Sequence, residues 1–127
     1  TAIRRQRQMC IRDSIKAIRV SPDLNIERAI EHFNPKGGFL FDTWHPKKYG
    51  GTGGTFDWDV LPNELKAPKI LAGGLTSTNV GQAIKIARPD VVDVSGGVES
   101  VKGIKDERLI ANFVNSVGFA DMKIDKK

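Results

Sequence analysis

The sequence predicts an α/β fold: four βα units in series, forming a parallel sheet that belongs to a partial TIM (β/α)8 barrel. Three observations predict it. Short apolar runs of strand character, Phe39-Leu40-Phe41, Ile70-Leu71-Ala72 and Val91-Val92-Asp93-Val94, each break into glycine and lead into a stretch of helical character. Ile70-Leu71 and Val91-Val92 are continuously apolar, as strands are when both faces of a parallel sheet are covered. The chain has 127 residues, enough for one core but short of the roughly 200 or more that a complete eight-unit barrel needs.

The elements follow in order. Residues 1–14 show no periodicity, and residues 5–14 resemble translated adapter sequence of the kind found at the ends of assembled fragments. The stretch is expected to be a non-native or disordered arm. Ile15–Val20 reads as the first strand. Ser21-Pro22-Asp23 then offers cap and first-turn residues, and Leu24, Ile26, Ala29, Ile30 and Phe33 recur at helical spacing. Pro35-Lys36-Gly37-Gly38 is a turn, residues 39–43 are the second strand, and a glycine-rich loop runs over 44–55 into a short helical or turn segment near 56–65. A third strand is expected over 68–72, a helix over 76–88 with Val80, Ala83, Ile84 and Ala87 on one face, and a fourth strand over 91–95. A last helix over 106–117 should turn Leu109, Ile110, Phe113 and Val114 inward. Residues 118–127 read as a solvated tail, so that 15–117 is the folded unit.

Composition narrows the class. An apolar fraction of 39% with 28% charged residues belongs to a folded globular chain, not a disordered one. No apolar run approaches the roughly 20 residues that span a bilayer, and no apolar segment of a signal peptide follows the basic start. The formal net charge of +5 sits in residues 1–20, where six basic groups face one acid; the other 107 residues carry 14 of each sign. With no aromatic platform beside it, this local charge predicts no nucleic-acid partner. The single cysteine, Cys10, has no internal disulfide partner, which points to a reducing, cytoplasmic setting.

The chemistry is expected where parallel strands end. Gly73-Gly74 follows the third strand and Gly96-Gly97 the fourth. Glycine lets backbone approach a ligand closely, and amides at a helix start favour an anion. A Gly-Gly after a strand is often only a tight turn, but two in successive units are the expected halves of a phosphate site. Asp42 ends the second strand and precedes the Gly50-Gly51-Thr52-Gly53 loop. It is either a general acid under a closing lid or a residue capping the following turn; position alone leaves both open. His32 is expected to be solvated, as is His45 on the loop, and Trp44 and Trp58 to pack rather than bind. Two histidines and one cysteine lack metal-site spacing, so no metal is expected.

Several stretches, in order, carry a resemblance. Lys16-Ala17-Ile18-Arg19-Val20, Phe39-Leu40-Phe41-Asp42-Thr43, Gly50-Gly51-Thr52-Gly53 with Phe56-Asp57-Trp58, Leu71-Ala72-Gly73-Gly74-Leu75 with Asn79-Val80, and Asp93-Val94-Ser95 with Gly97-Val98-Glu99-Ser100 and Gly103-Ile104-Lys105-Asp106 resemble the phosphoribosylanthranilate isomerase family. The similarity runs from about Ile15 to Val117 and covers strands five to eight of that family's barrel. It implies an Amadori rearrangement of N-(5-phosphoribosyl)anthranilate in tryptophan biosynthesis, without metal or organic cofactor. By the resemblance Asp42 is the general acid that protonates the ribose ring oxygen. Gly73, Gly74, Gly96 and Gly97 hold the phosphate of a phosphoribosyl substrate, Asp93 is a further acid near it, and Gly50, Gly51, Thr52 and Gly53 shield the site. The family's general base is a cysteine in a Lys-x-Cys-Gly strand. Gln8-Met9-Cys10-Ile11-Arg12 does not match it, so Cys10 is given no such role and the chain alone is expected to turn over little or no substrate. Position 96 is Gly where the family usually has Ser, so a hydroxyl contact is lost there. The competing expectations are another phosphate-binding barrel enzyme of histidine or tryptophan synthesis, and a non-catalytic half-barrel that self-associates through open sheet edges.

Overall fold

The computed structural model describes residues 14–43 and 55–125, with side chains as far as residue 123. Four strands, β1 (Ile15–Val20), β2 (Gly38–Thr43), β3 (Lys69–Leu71) and β4 (Val91–Val92), form one parallel sheet in the order β1-β2-β3-β4. The register pairs Ile18 with Phe41, Phe41 with Leu71, and Leu71 with Val92, so all four carboxyl ends share one rim. The helices are α1 (Ile26–Ile30), α2 (Val80–Ala87) and α3 (Glu107–Asp125). A second, two-stranded antiparallel ladder joins β5 (Glu99–Val101) and β6 (Ile104–Lys105).

Burial follows position in the sheet. β3 is buried at all three residues, whereas β1 alternates, with Ile18 and Val20 inward and Ile15, Ala17 and Arg19 exposed. That is the difference between a strand covered on both faces and an edge strand covered on one. Phe41 and Leu71 lie fully inside, and Val80, Ala83, Ile84 and Ala87 of α2 bury the stripe that their spacing predicts. Each fully buried large aliphatic or aromatic side chain contributes about 1.5–3 kcal/mol.

The amino-terminal rim is held by a buried lysine. Lys69, 4% exposed, donates from Nζ to the Ala87 carbonyl (2.7 Å), satisfying one of the carbonyls at the α2 terminus. Asp90 accepts from the Lys69 amide (2.8 Å) and donates its own amide to the Lys69 carbonyl (2.8 Å), fastening the entry of β4 to β3. Burial holds the Lys69 ammonium below its ordinary pKa, and the Asp90 carboxylate partly opposes that shift.

Several boundaries depart from the expected ones, each for a local reason. α1 begins at Ile26 because Asn25 caps it, its Oδ1 accepting from the Arg28 amide (3.1 Å), while Ser21 is used in a turn to Leu24. Phe33 lies outside that helix, exposed beneath the Lys16 ammonium, 4.3 Å from its ring centroid. α2 begins at Val80, not 76, because the Asn79 side chain draws residues 74–79 into a tight turn. β3 and β4 are shorter than expected, although the Asp93 amide still reaches the Leu71 carbonyl (2.8 Å). α3 continues through Gly118, where a helix end was expected, to Asp125, over residues that include the good helix formers Ala120, Met122 and Lys123.

The inward face expected of α3 needs the largest correction. Phe113 is buried and Leu109 half-buried, but Ile110 is 41% and Val114 61% exposed. Ile110, Phe113, Val114 and Val117 of the helix, with Val92, Val94 and Val98, border an apolar groove of about 310 Å³ beside β4. Helical spacing identifies the apolar stripe, but burial needs a neighbour. Among the described residues no strand pairs with the outer edge of β4.

Candidate functional site

Asp42 lies near the end of β2, half-buried, with its Oδ1 accepting from the Thr43 amide at 2.7 Å. This is the local bond expected of a strand-end aspartate, and it leaves Oδ2 for another partner. Gly73 comes directly against it. A Cβ at position 73 would stand 2.6 Å from Asp42 Oδ1 and 2.6 Å from the Thr43 amide nitrogen. Gly73 and Gly74 both have positive φ, +90° and +67°, a conformation L side chains resist. The chain leaving β3 thus folds its backbone onto the acid.

The second glycine turn meets the first. Residues Gly96–Val98 form a 3₁₀ turn after β4. A Cβ on Gly97 would collide with the Leu75 carbonyl and stand 3.2 Å from Thr76 Cα. The two turns are packed backbone to backbone, which glycine at 97 permits. Within the first turn Asn79 acts as a staple, its Oδ1 accepting from the Thr76 amide (2.7 Å) and its Nδ2 donating to the Gly74 carbonyl (2.9 Å). Among the described residues the amides of Gly74, Gly96 and Gly97 have no protein acceptor, so this rim can offer several donors to an anion.

Asp93 lies just past β4 and is exposed, as is Gly96. Lys105 at the end of β6 reaches back to the turn, donating from Nζ to Ser95 O (3.0 Å), Ser95 Oγ (3.2 Å) and Glu99 Oε2 (2.8 Å). The Lys105 hydrogen bond, with a further one from the Gly103 amide, holds the Glu99 carboxyl below its ordinary pKa. Neither Asn79 nor Lys105 stood out as a site residue, although both fall within the stretches that carry the family resemblance. The Asn79 partners are a backbone carbonyl and amide, and the Lys105 partners come together only through the hairpin, neither of which a residue pattern displays. The hairpin itself had a signal in Lys102-Gly103 between Val101 and Ile104.

Gly50, Gly51, Thr52 and Gly53, with Cys10, Trp44 and His45, lie outside the described residues. His32 is exposed beside Glu31, at 3.2 Å. Trp58 packs against the core as expected, its buried Nε1 without a partner among the described residues. No helix of the described residues is long and apolar enough to cross a membrane.

Known proteins match along most of the chain. Residues 4–116 match the family model for N-(5'-phosphoribosyl)anthranilate (PRA) isomerase. The N-(5'-phosphoribosyl)anthranilate isomerase of Pseudomonas putida (strain W619) is 52% identical over 103 residues, 81% of this chain and 50% of that protein. The crystal structure of phosphoribosyl anthranilate isomerase from Thermotoga maritima is 39% identical with a TM-score of 0.72, covering 91% of this chain and 57% of that one. A phosphoribosyl anthranilate isomerase in complex with reduced 1-(o-carboxyphenylamino)-1-deoxyribulose 5-phosphate is 34% identical with a TM-score of 0.66, covering 91% and 54% respectively. The chain spans about half the length of the curated relatives it matches.

Proposed function

The chain belongs to the N-(5'-phosphoribosyl)anthranilate isomerase family, and from that premise we propose that it supplies the acid and the phosphate-binding turns for the Amadori rearrangement of N-(5-phosphoribosyl)anthranilate. One observation carries the reading: the Asp42 carboxylate, the Gly73-Gly74 turn and the Gly97 turn lie on one rim, with the acid against the first turn and the first turn against the second. Gly73, Gly74, Gly96 and Gly97 hold the phosphate through backbone amides. That anchor presents the ribose ring oxygen to Asp42, whose carboxyl donates a proton as the ring opens to a Schiff base. Asp93 is a second acidic group near the substrate, and residues 50–53 shield the site. The C2 proton then leaves to a general base, which the proposal takes from outside the matched half of the relatives' fold. The resulting enolamine tautomerises to the ketone. The fold that this implies is half of a (β/α)8 barrel.

The test is turnover after co-folding this chain with the amino-terminal half of the Pseudomonas putida relative. Isomerisation of N-(5-phosphoribosyl)anthranilate is expected. Turnover of the phosphoribosyl-aminoimidazole substrate of the related histidine-synthesis barrel, in its place, would reassign the chemistry while leaving the phosphate site.

The open edges support a second part of the proposal. β1 exposes one face and β4 has an edge that no strand among the described residues pairs, beside the apolar groove, with Ile110, Val114, Phe119 and Met122 exposed along α3. Such edges and patches favour pairing, and we take the occupant to be a second copy of this chain. Size-exclusion chromatography with light scattering is expected to give a dimer or larger at micromolar concentration. A monomer that melts cooperatively and stays soluble excludes this assembly.

A further inference from the structure

We propose that Lys105 is the positioning residue for the phosphate turn: through the β5–β6 hairpin it fixes the Ser95–Val98 backbone so that the amides of Gly96 and Gly97 point to one anion. The inference rests on the phosphate reading above.

Adjacent glycines at 96 and 97 leave a turn with little intrinsic preference, and the Ser95 side chain before them makes no capping hydrogen bond to it. Something outside the turn has to hold it. The hairpin register places Lys105 opposite Glu99, and the Lys105 ammonium has three donors for three acceptors, Ser95 O, Ser95 Oγ and Glu99 Oε2, all within 3.2 Å. Glu99 is fixed in turn, its Oε1 accepting from the Gly103 amide (3.3 Å), and the Asp106 amide closes the hairpin base onto the Val98 carbonyl (2.8 Å). Every acceptor of Lys105 belongs to the turn or to the strand that continues it. The opposing Glu99 carboxylate neutralises much of the ammonium charge, so shape rather than net charge is what Lys105 supplies.

The experiment uses the whole chain with inorganic phosphate as the probe, followed by NMR at the Gly96 and Gly97 amides. Lys105→Met is expected to weaken phosphate binding about tenfold, the loss of a charge-assisted network, and to shift both amides before phosphate is added. Lys105→Arg should recover affinity to within about threefold of the parent, because the guanidinium keeps charge and several donors. Lys102→Met removes the same charge from the exposed hairpin tip and is expected to change affinity less than about twofold. Ser95→Ala, which removes only the hydroxyl contact, serves if Lys105→Met loses its fold, and should cost about two- to threefold. Equal affinity in Lys105→Met and the parent, or an equal loss in Lys102→Met, overturns the positioning role and leaves the phosphate site standing. No saturable phosphate effect at Gly96 or Gly97 in the parent chain overturns the phosphate reading, and this inference with it.

Discussion

Asp42→Asn is expected to lower isomerase turnover in the co-folded barrel by about 10²–10⁴-fold, the range a positioned general acid supplies. Phosphate affinity should stay within about twofold, because the substitution leaves the backbone donors of the turns in place. The separation follows from the geometry. Oδ1 accepts from the Thr43 amide at 2.7 Å, and the amide oxygen of asparagine can keep that bond. The Gly73 backbone packs against the same atom, so an isosteric side chain leaves the turn undisturbed. What asparagine lacks is a transferable proton at the second position. Asp42→Ala would confuse the two roles, since it also removes the Oδ1 that accepts from the Thr43 amide, a hydrogen bond worth about 1 kcal/mol. Turnover in Asp42→Asn within threefold of the parent would remove Asp42 from the chemistry and leave it a turn-capping residue.

The sequence was most legible where structure is dictated by backbone demands or by burial on both faces. The glycines at 73, 74 and 97 fall in the first group, because few other residues satisfy those positions. β3 and the α2 stripe fall in the second. Legibility failed where a side chain competes locally with the helix, as Asn25 and Asn79 do at the starts of α1 and α2. It failed again where burial depends on a neighbour, as at Ile110 and Val114. At the candidate site the same division holds. Acid and glycines announce themselves by position at strand ends, whereas Asn79 acts through a backbone carbonyl and amide that any residue would provide, and Lys105 through a carbonyl and two side chains brought to it by the hairpin. A polar residue that braces a turn looks, in sequence, like a polar residue facing water.

The same division predicts opposite outcomes for one substitution at two glycines. Gly73→Ala is expected to destabilise the chain by about 3 kcal/mol, combining about 1–2 kcal/mol of left-handed strain with about 1–3 kcal/mol of overpacking. The φ of +90° supplies the first contribution, and a Cβ 2.6 Å from both Asp42 Oδ1 and the Thr43 amide nitrogen the second. Relief requires moving the β2 end away from the turn, so phosphate binding should fall with stability. Gly81→Ala places the same methyl where no atom lies within 4 Å, one residue into α2. There alanine is the better helix former and narrows the unfolded ensemble, so about 0.5–1 kcal/mol of stabilisation is expected. Thermal and urea melts of the two variants against the parent measure both signs. If Gly73→Ala melts like the parent, the close approach of the β3 turn to Asp42 is wrong, and the shared rim of acid and phosphate turns is lost with it.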